Sequence, residues 1–209
     1  MRHSVCASVG GFANHYRWLL LLSEKYNDLT SLNANSFMRV KKAFPWKVED
    51  KVKFIEENIY CKERNHKNWI AYEWKYRKPL DNIITVSHNI YSASYAVVPK
   101  HSPSVPHKIL VSLLDPQECL KHYVKFNPTL NSFLPVNFVE RCANDIIDAK
   151  DYLSHLREHE EVFIVEGEKL YQPVLDKTLY KSIIDFFELE DLYEHANKIH
   201  MMWYRIHNA

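Results

Sequence analysis

The residues able to do chemistry gather around a pair of glycines and one strand-end histidine. Gly10 and Gly11 stand side by side in a chain of 209 residues that holds only one other glycine, Gly167. Glycine is free of the Cβ penalty where the backbone needs positive φ or a close approach, so the pair marks a functional loop or, more simply, a tight turn. The stretch Gly10-Gly11-Phe12-Ala13-Asn14 leads into an apolar helix, with Asn14 expected as its N-cap. A first helical turn offers unpaired N–H groups and a positive dipole end, which together cradle an anion. Arg17, one turn in, is the nearest fixed charge or else a structural partner of a carboxylate, and His15 can add a proton or hydrogen bond. His88 follows the β-rich run Asn82–Ser87. Its imidazole can accept a hydroxyl proton near neutral pH; the alternative is a histidine bonded to a neighbour.

These groups need a scaffold, and the apolar pattern supplies one. His3–Val9, Asn82–Ser87, Lys108–Leu113 and Glu161–Val165 read as strands. Between and after them come helical patterns over His15–Tyr26, around Val48–Ile59, from Cys119 to Phe126, and over Val136–His159, Lys177–Phe187 and Glu190–His207. Strands alternating with helices imply an α/β fold of three layers, a mostly parallel sheet with helices on both faces, in one domain over residues 1–209. Ligands of such sheets sit beyond the C-terminal ends of the strands. That rule collects Gly10–Asn14, His88-Asn89, Asp115-Pro116 and Glu166-Gly167-Glu168 on one rim.

Composition narrows the partners. Twenty-seven Lys+Arg against 26 Asp+Glu leave a net charge of +1, so no global field draws in nucleic acid or an anionic membrane. The four cysteines, Cys6, Cys61, Cys119 and Cys142, form no Cys-x-x-Cys pair, which suits a reducing compartment. The run Trp18–Leu22 is too short for a signal peptide, no stretch reaches the ~20 apolar residues of a membrane span, and a cytoplasmic protein is expected. Composition rich in Asn, Lys and Tyr and poor in Gly suits an AT-rich genome such as a phage's.

The four strand ends, in order, resemble the landmarks of the sulfotransferase family over about residues 3–190. The family's phosphosulfate loop, Pro-Lys-Ser-Gly-Thr-Thr-Trp before a Leu-rich helix, is similar in setting to Gly10-Gly11-Phe12-Ala13-Asn14-His15-Tyr16. Val86-Ser87-His88 resembles the Lys-Thr-His strand end whose His is the catalytic base. Leu114-Asp115-Pro116 resembles Arg-Asp-Pro, with His122 at the position of the Ser that holds the 3′-phosphate. The strand Val162–Val165, then Gly167-Glu168-Lys169-Leu170, Pro173 and the run Ile183–Leu189, resembles the fourth landmark. The resemblance implies a P-loop-like fold, the donor PAPS (3′-phosphoadenosine 5′-phosphosulfate), no metal, and a carbohydrate or small-molecule hydroxyl as acceptor. His88 would be the base, and Gly10, Gly11, Phe12, Ala13, Asn14, His15, Arg17, Asp115 and His122 the donor site. The chain departs from the family at Gly11, where a lysine stands, and at Leu114, where an arginine stands. It lacks the C-terminal Arg-Lys-Gly…Gly-Asp-Trp element. A catalytically silent protein of the same fold, acting as a binding or structural module, is therefore the other expectation.

Two further features are weighed. Lys121, His122 and Lys125 are replacement phosphate ligands or a solvated helix face. His155-Leu156-Arg157-Glu158-His159 matches the His-x-x-Glu-His zinc pattern, but no third ligand accompanies it and a chance match is expected among 12 histidines. In the last helix, His200, Trp203, Tyr204 and Arg205 form an aromatic and basic cluster that caps the fold or folds over the ligand edge, with Trp203 expected in the core and the others at the surface.

Overall fold

A computed structural model describes residues 2–8, 11–26, 47–59, 84–87, 106–126, 137–156 and 160–208. Gly10, His88 and His159 lie outside the described residues, as do residues 62–78, whose mix of Lys, Arg, His, Trp and Tyr reads from sequence as a solvated helix with aromatic anchors or a basic lip over an anion site. Strands β1 (Arg2–Ala7), β2 (Ile84–Ser87), β3 (His107–Leu113) and β4 (Glu160–Glu166) form one sheet in the order β2-β1-β3-β4. All pairings are parallel: Ser4 lies between Thr85 of β2 and Ile109 of β3, and Val111 is opposite Ile164 of β4. The helices are α1 (Ala13–Leu21), α2 (Val48–Ile59), α3 (Pro116–Phe126), α4 (Phe138–Leu153), α5 (Lys177–Phe187) and α6 (Tyr193–Asn208), with a 3₁₀ turn at Gly167–Leu170.

Side chains alternate across the sheet, as the strand period demands. Val5, Ala7, Leu110 and Val165 enter a core shared with α1, α2, α5 and α6. Cys6, Ile109 and Val111 point the other way, onto Ala149 and Tyr152 of α4. Burial on both faces explains why β1 and β3 read as apolar runs rather than as alternating ones. Each fully buried aliphatic side chain contributes roughly 1.5–3 kcal/mol relative to exposure.

The chain moves from β1 to β2 on one side and reaches β3 and β4 on the other. Right-handed crossovers in opposite directions place their helices on opposite faces, as α1 and α4 are here. The connections therefore diverge between the ends of β1 and β3, the place where open α/β sheets generally bind ligands.

The opposite, N-terminal ends of the strands hold buried polar groups, several of which pair with one another, because an unpaired buried polar group is costly. Ser4 Oγ and His107 Nε2 are 2.8 Å apart, the Tyr152 hydroxyl donates to Glu160 at 2.6 Å, and His3 Nδ1 meets the Tyr26 hydroxyl. Lysines close the helix ends nearby, where unpaired carbonyls accept a cation. Lys108 Nζ donates to the Phe186 carbonyl at 2.7 Å and to Glu188 at 2.6 Å. The fully buried Lys51 donates to the carbonyls of Ser23 and Tyr26 just beyond α1.

Candidate functional site

The loop between β1 and α1 folds back on the strand it leaves. Gly11 N–H donates to Ser8 O at 2.7 Å, and a Cβ on Gly11 would lie 2.9 Å from that oxygen and 3.1 Å from Ala7 Cβ. Close approach is thus the reason for glycine at this position. The left-handed residue is Phe12, with φ of 68°, and it occupies the N-cap of α1 without a side-chain cap bond. The expected cap, Asn14, instead lies within the first turn, because the helix starts at Ala13. The Phe12 carbonyl accepts from His15 N–H at 2.9 Å and from Tyr16 N–H at 3.3 Å, which begins the helical ladder.

A bulky residue at positive φ is strained, and ring packing holds it there. Edge-on to Phe12 stand His122 of α3 (ring centroids 4.7 Å apart), Trp203 and His207 of α6 (4.9 and 5.9 Å) and Tyr171 after the 3₁₀ turn (5.8 Å). These come from every element bordering the switch point on this side. Trp203 also stacks on His15 at 4.2 Å and 19°. The C-terminal helix therefore lies against the β1–α1 loop. The signal for this in the sequence was the spacing of His200, Trp203 and His207 on one helical face. Trp203 is buried as expected, but so is His200, which was expected at the surface; it faces His15 across the contact between α6 and α1.

The hydrogen bonds fix the histidine tautomers. A carbonyl only accepts, so His200 Nε2, 2.7 Å from Gln172 O, carries a proton. The other nitrogen of neutral His200 must then accept, and His15 Nε2 donates to it at 3.0 Å. His15 Nδ1 is left as a lone pair, buried and with no hydrogen-bond partner among the described residues. His207 Nδ1 likewise donates to Trp203 O at 2.9 Å. Burial holds His15 well below the ordinary imidazole pKa, with His200 and His207 adding to the effect. Burial lowers His207 to about 4 and also lowers His200 and His122. His15 thus stands as a neutral acceptor beside the loop.

The remaining residues of the expected donor site are placed as follows. Ala13 is buried in the first turn of α1, and Arg17 is buried with its guanidinium 5.9 Å from the Trp18 ring. Asp115 caps α3, its Oδ1 accepting from Gln117 N–H at 2.8 Å. Its own N–H donates to Glu168 at 3.3 Å, tying the end of β3 to the 3₁₀ turn. His122 meets the Tyr171 hydroxyl at 2.7 Å. Gly167 completes the rim, since a Cβ there would lie 3.0 Å from Leu113 O and 3.1 Å from Leu114 Cβ. Two of the chain's three glycines thus sit where the rim backbone closes.

The structure brings Gly11, Phe12, His15 and His122 together at the switch point, with Asp115 at the foot of the helix that carries His122. β2 ends at Ser87, opposite Cys6. Near the rim the described charges are mixed. Glu118 pairs with Lys121 and Glu166 with Lys169, while Lys125 donates to the His207 carbonyl at 2.6 Å. His155 lies exposed beyond α4, which ends at Leu153, earlier than the sequence pattern suggested. Its Nδ1 is occupied locally by Ser154 Oγ at 2.7 Å. Among the described residues no three His, Cys, Asp or Glu side chains are grouped to hold a metal ion, and no helix is long and apolar enough to cross a membrane. Comparison with protein-family models, curated proteins and solved structures finds no match to the chain.

Proposed function

We propose that the chain is a sulfotransferase-like protein of P-loop-like architecture that takes PAPS at the rim between β1 and β3. It then passes the sulfuryl group to a hydroxyl of a carbohydrate or small molecule, in the cytoplasm. The observation that carries this reading is the juxtaposition of Phe12 and His122, 4.7 Å apart across the switch point. The stretches that resemble the family's phosphosulfate loop and its 3′-phosphate helix are neighbours in space. In this reading His88 takes the acceptor hydroxyl proton as the acceptor oxygen bonds to sulfur. The bond from sulfur to the bridging phosphate oxygen breaks, and adenosine 3′,5′-bisphosphate leaves with the electron pair. Such a displacement needs positioning and charge stabilisation more than covalent chemistry.

The charges at the rim favour a second reading, a catalytically silent module that keeps the fold for binding. Leu114 is buried where the family has its arginine, and the backbone at Gly11 leaves no room for a lysine without a shift. Thermal unfolding in the presence of adenosine 3′,5′-bisphosphate separates the two, since a ligand of the native state raises Tm by mass action. The first reading expects a rise that saturates with ligand. An unchanged Tm at millimolar ligand supports the second. If binding occurs, His88→Ala lowers turnover far more than donor affinity.

A further inference from the structure

We propose that His15, His122, His200 and His207 form an acid-sensitive latch that holds the C-terminal half of α6 on the β1–α1 loop at neutral pH and releases it when they take up protons. The four imidazoles come from three helices and converge on one contact. His15 and His200 are hydrogen-bonded at 3.0 Å, His122 and His207 have ring centroids 6.2 Å apart, and Phe12 and Trp203 fill the space between. His15 and His200 are fully buried, and His207 and His122 are partly so.

The bonding pattern requires a neutral His200. The relay from His15 through His200 to the Gln172 carbonyl uses every proton it has, and a second proton on His200 would set two donors against each other. Among the groups facing the latch, Glu118 and the carbonyls of Gln172 and Trp203 favour a proton, on His122, His200 and His207 respectively, and Lys121 and Lys125 oppose it. From α1 come the positive helix end, His15 itself and the Tyr16 ring; from α3 come Lys121 and Lys125 against the single carboxylate Glu118; the 3₁₀ turn brings Tyr171; α6 adds Trp203 and Tyr204. Burial is the main cause that keeps all four rings below the ordinary imidazole value. The unlatched rings regain that value, near 6.5.

The other end of α6 is held by contacts that do not titrate in this range. Leu175 N–H donates to Asn197 Oδ1 at 2.9 Å and the Tyr193 hydroxyl donates to Leu175 O at 2.7 Å. The turn from Tyr193 to Asn197 is thus the pivot, and residues 200–208 are the moving part. Between pH 7.5 and 5, each histidine that is neutral only when latched shifts the equilibrium toward release by about thirtyfold. Several together make the release steeper than a one-proton event. The latch stands whether or not the rim takes a sulfuryl donor.

The test is amide hydrogen exchange of the full chain from pH 7.5 to 5.0, corrected for the intrinsic pH dependence of exchange. The latch requires protection of residues 200–208 to fall at least tenfold with a slope above one proton, and more steeply than that of α4. Protection of α4 and of residues 200–208 falling with the same slope, or unchanged protection of residues 200–208 down to pH 5, overturns it. In His207→Phe, which keeps a ring against Phe12 and Trp203, the slope falls by about one proton; an unchanged slope removes His207 from the latch.

Discussion

His15 donates from Nε2 to His200 Nδ1 at 3.0 Å, and the polarity of that bond is dictated by a carbonyl 28 residues before His200, that of Gln172. A backbone acceptor thereby decides that a side chain in the first turn of α1 presents a lone pair rather than a proton. These rings are neutral in the folded state and have lowered pKa values, so the unfolded chain binds more protons as pH drops below about 6.5. Stability is therefore complete above that pH and lost on acidification toward the folded values, about 4 for His207 and about 3 for the buried His3. Urea unfolding at pH 7.5 and 5.0 should show a loss of about 1–2 kcal/mol per fully buried histidine. Equal stability at the two pH values would contradict the neutral assignment.

Phe12→Ala removes the ring that His122, Tyr171, Trp203 and His207 surround, at a cost of about 3–5 kcal/mol. Phe12→Gly loses the same packing but relieves the positive φ of 68°. It should therefore be less destabilised than the alanine variant by about 1 kcal/mol. Chemical denaturation of the two variants checks the order; a more stable alanine variant would deny the strain at this position.

Gly11→Ala and Gly167→Ala each place a Cβ against a carbonyl, 2.9 Å from Ser8 O and 3.0 Å from Leu113 O. Both should destabilise by about 1–3 kcal/mol. Gly11→Lys, which supplies the side chain found in the resembling family, should be at least as unstable as Gly11→Ala. Thermal unfolding of the three variants reads this directly, and a Gly11→Lys protein as stable as the parent would show that the loop yields.

Much of this architecture was legible in the sequence. The strands showed as short apolar runs because β1 and β3 are buried on both faces and β4 partly so, and α5 showed through Leu179, Ile183 and Phe187 on one face; its cap Asp176, whose Oδ1 accepts from Thr178 and Leu179 N–H at 2.7 and 3.0 Å, went unread. The site was legible only in part. That Gly11 needs glycine follows from a contact across the turn, and sequence alone could not tell close approach from positive φ, which Phe12 adopts. His200 was misplaced because an imidazole on a mixed helix reads as polar surface until its partner, 185 residues away, is known. Polar strand residues such as His3 and Ser4 are buried for the same reason: their partners, Tyr26 and His107, lie far along the chain.

Lys51→Met retains the bulk of the buried side chain but leaves the carbonyls of Ser23 and Tyr26 without their donor. The loss should be about 1–3 kcal/mol, the range for stranding buried hydrogen-bonding groups. Urea denaturation measures it, and a variant as stable as the parent would mean that these carbonyls find water or another donor.

Isothermal titration of adenosine 3′,5′-bisphosphate into the protein at neutral pH tests the donor site most directly, with His122→Ala as the comparison. Donor binding between the β1–α1 loop and α3 requires saturable one-site binding to the parent protein, weakened at least tenfold by His122→Ala while the variant stays folded. No binding at millimolar ligand, or binding that His122→Ala leaves unchanged, would contradict it.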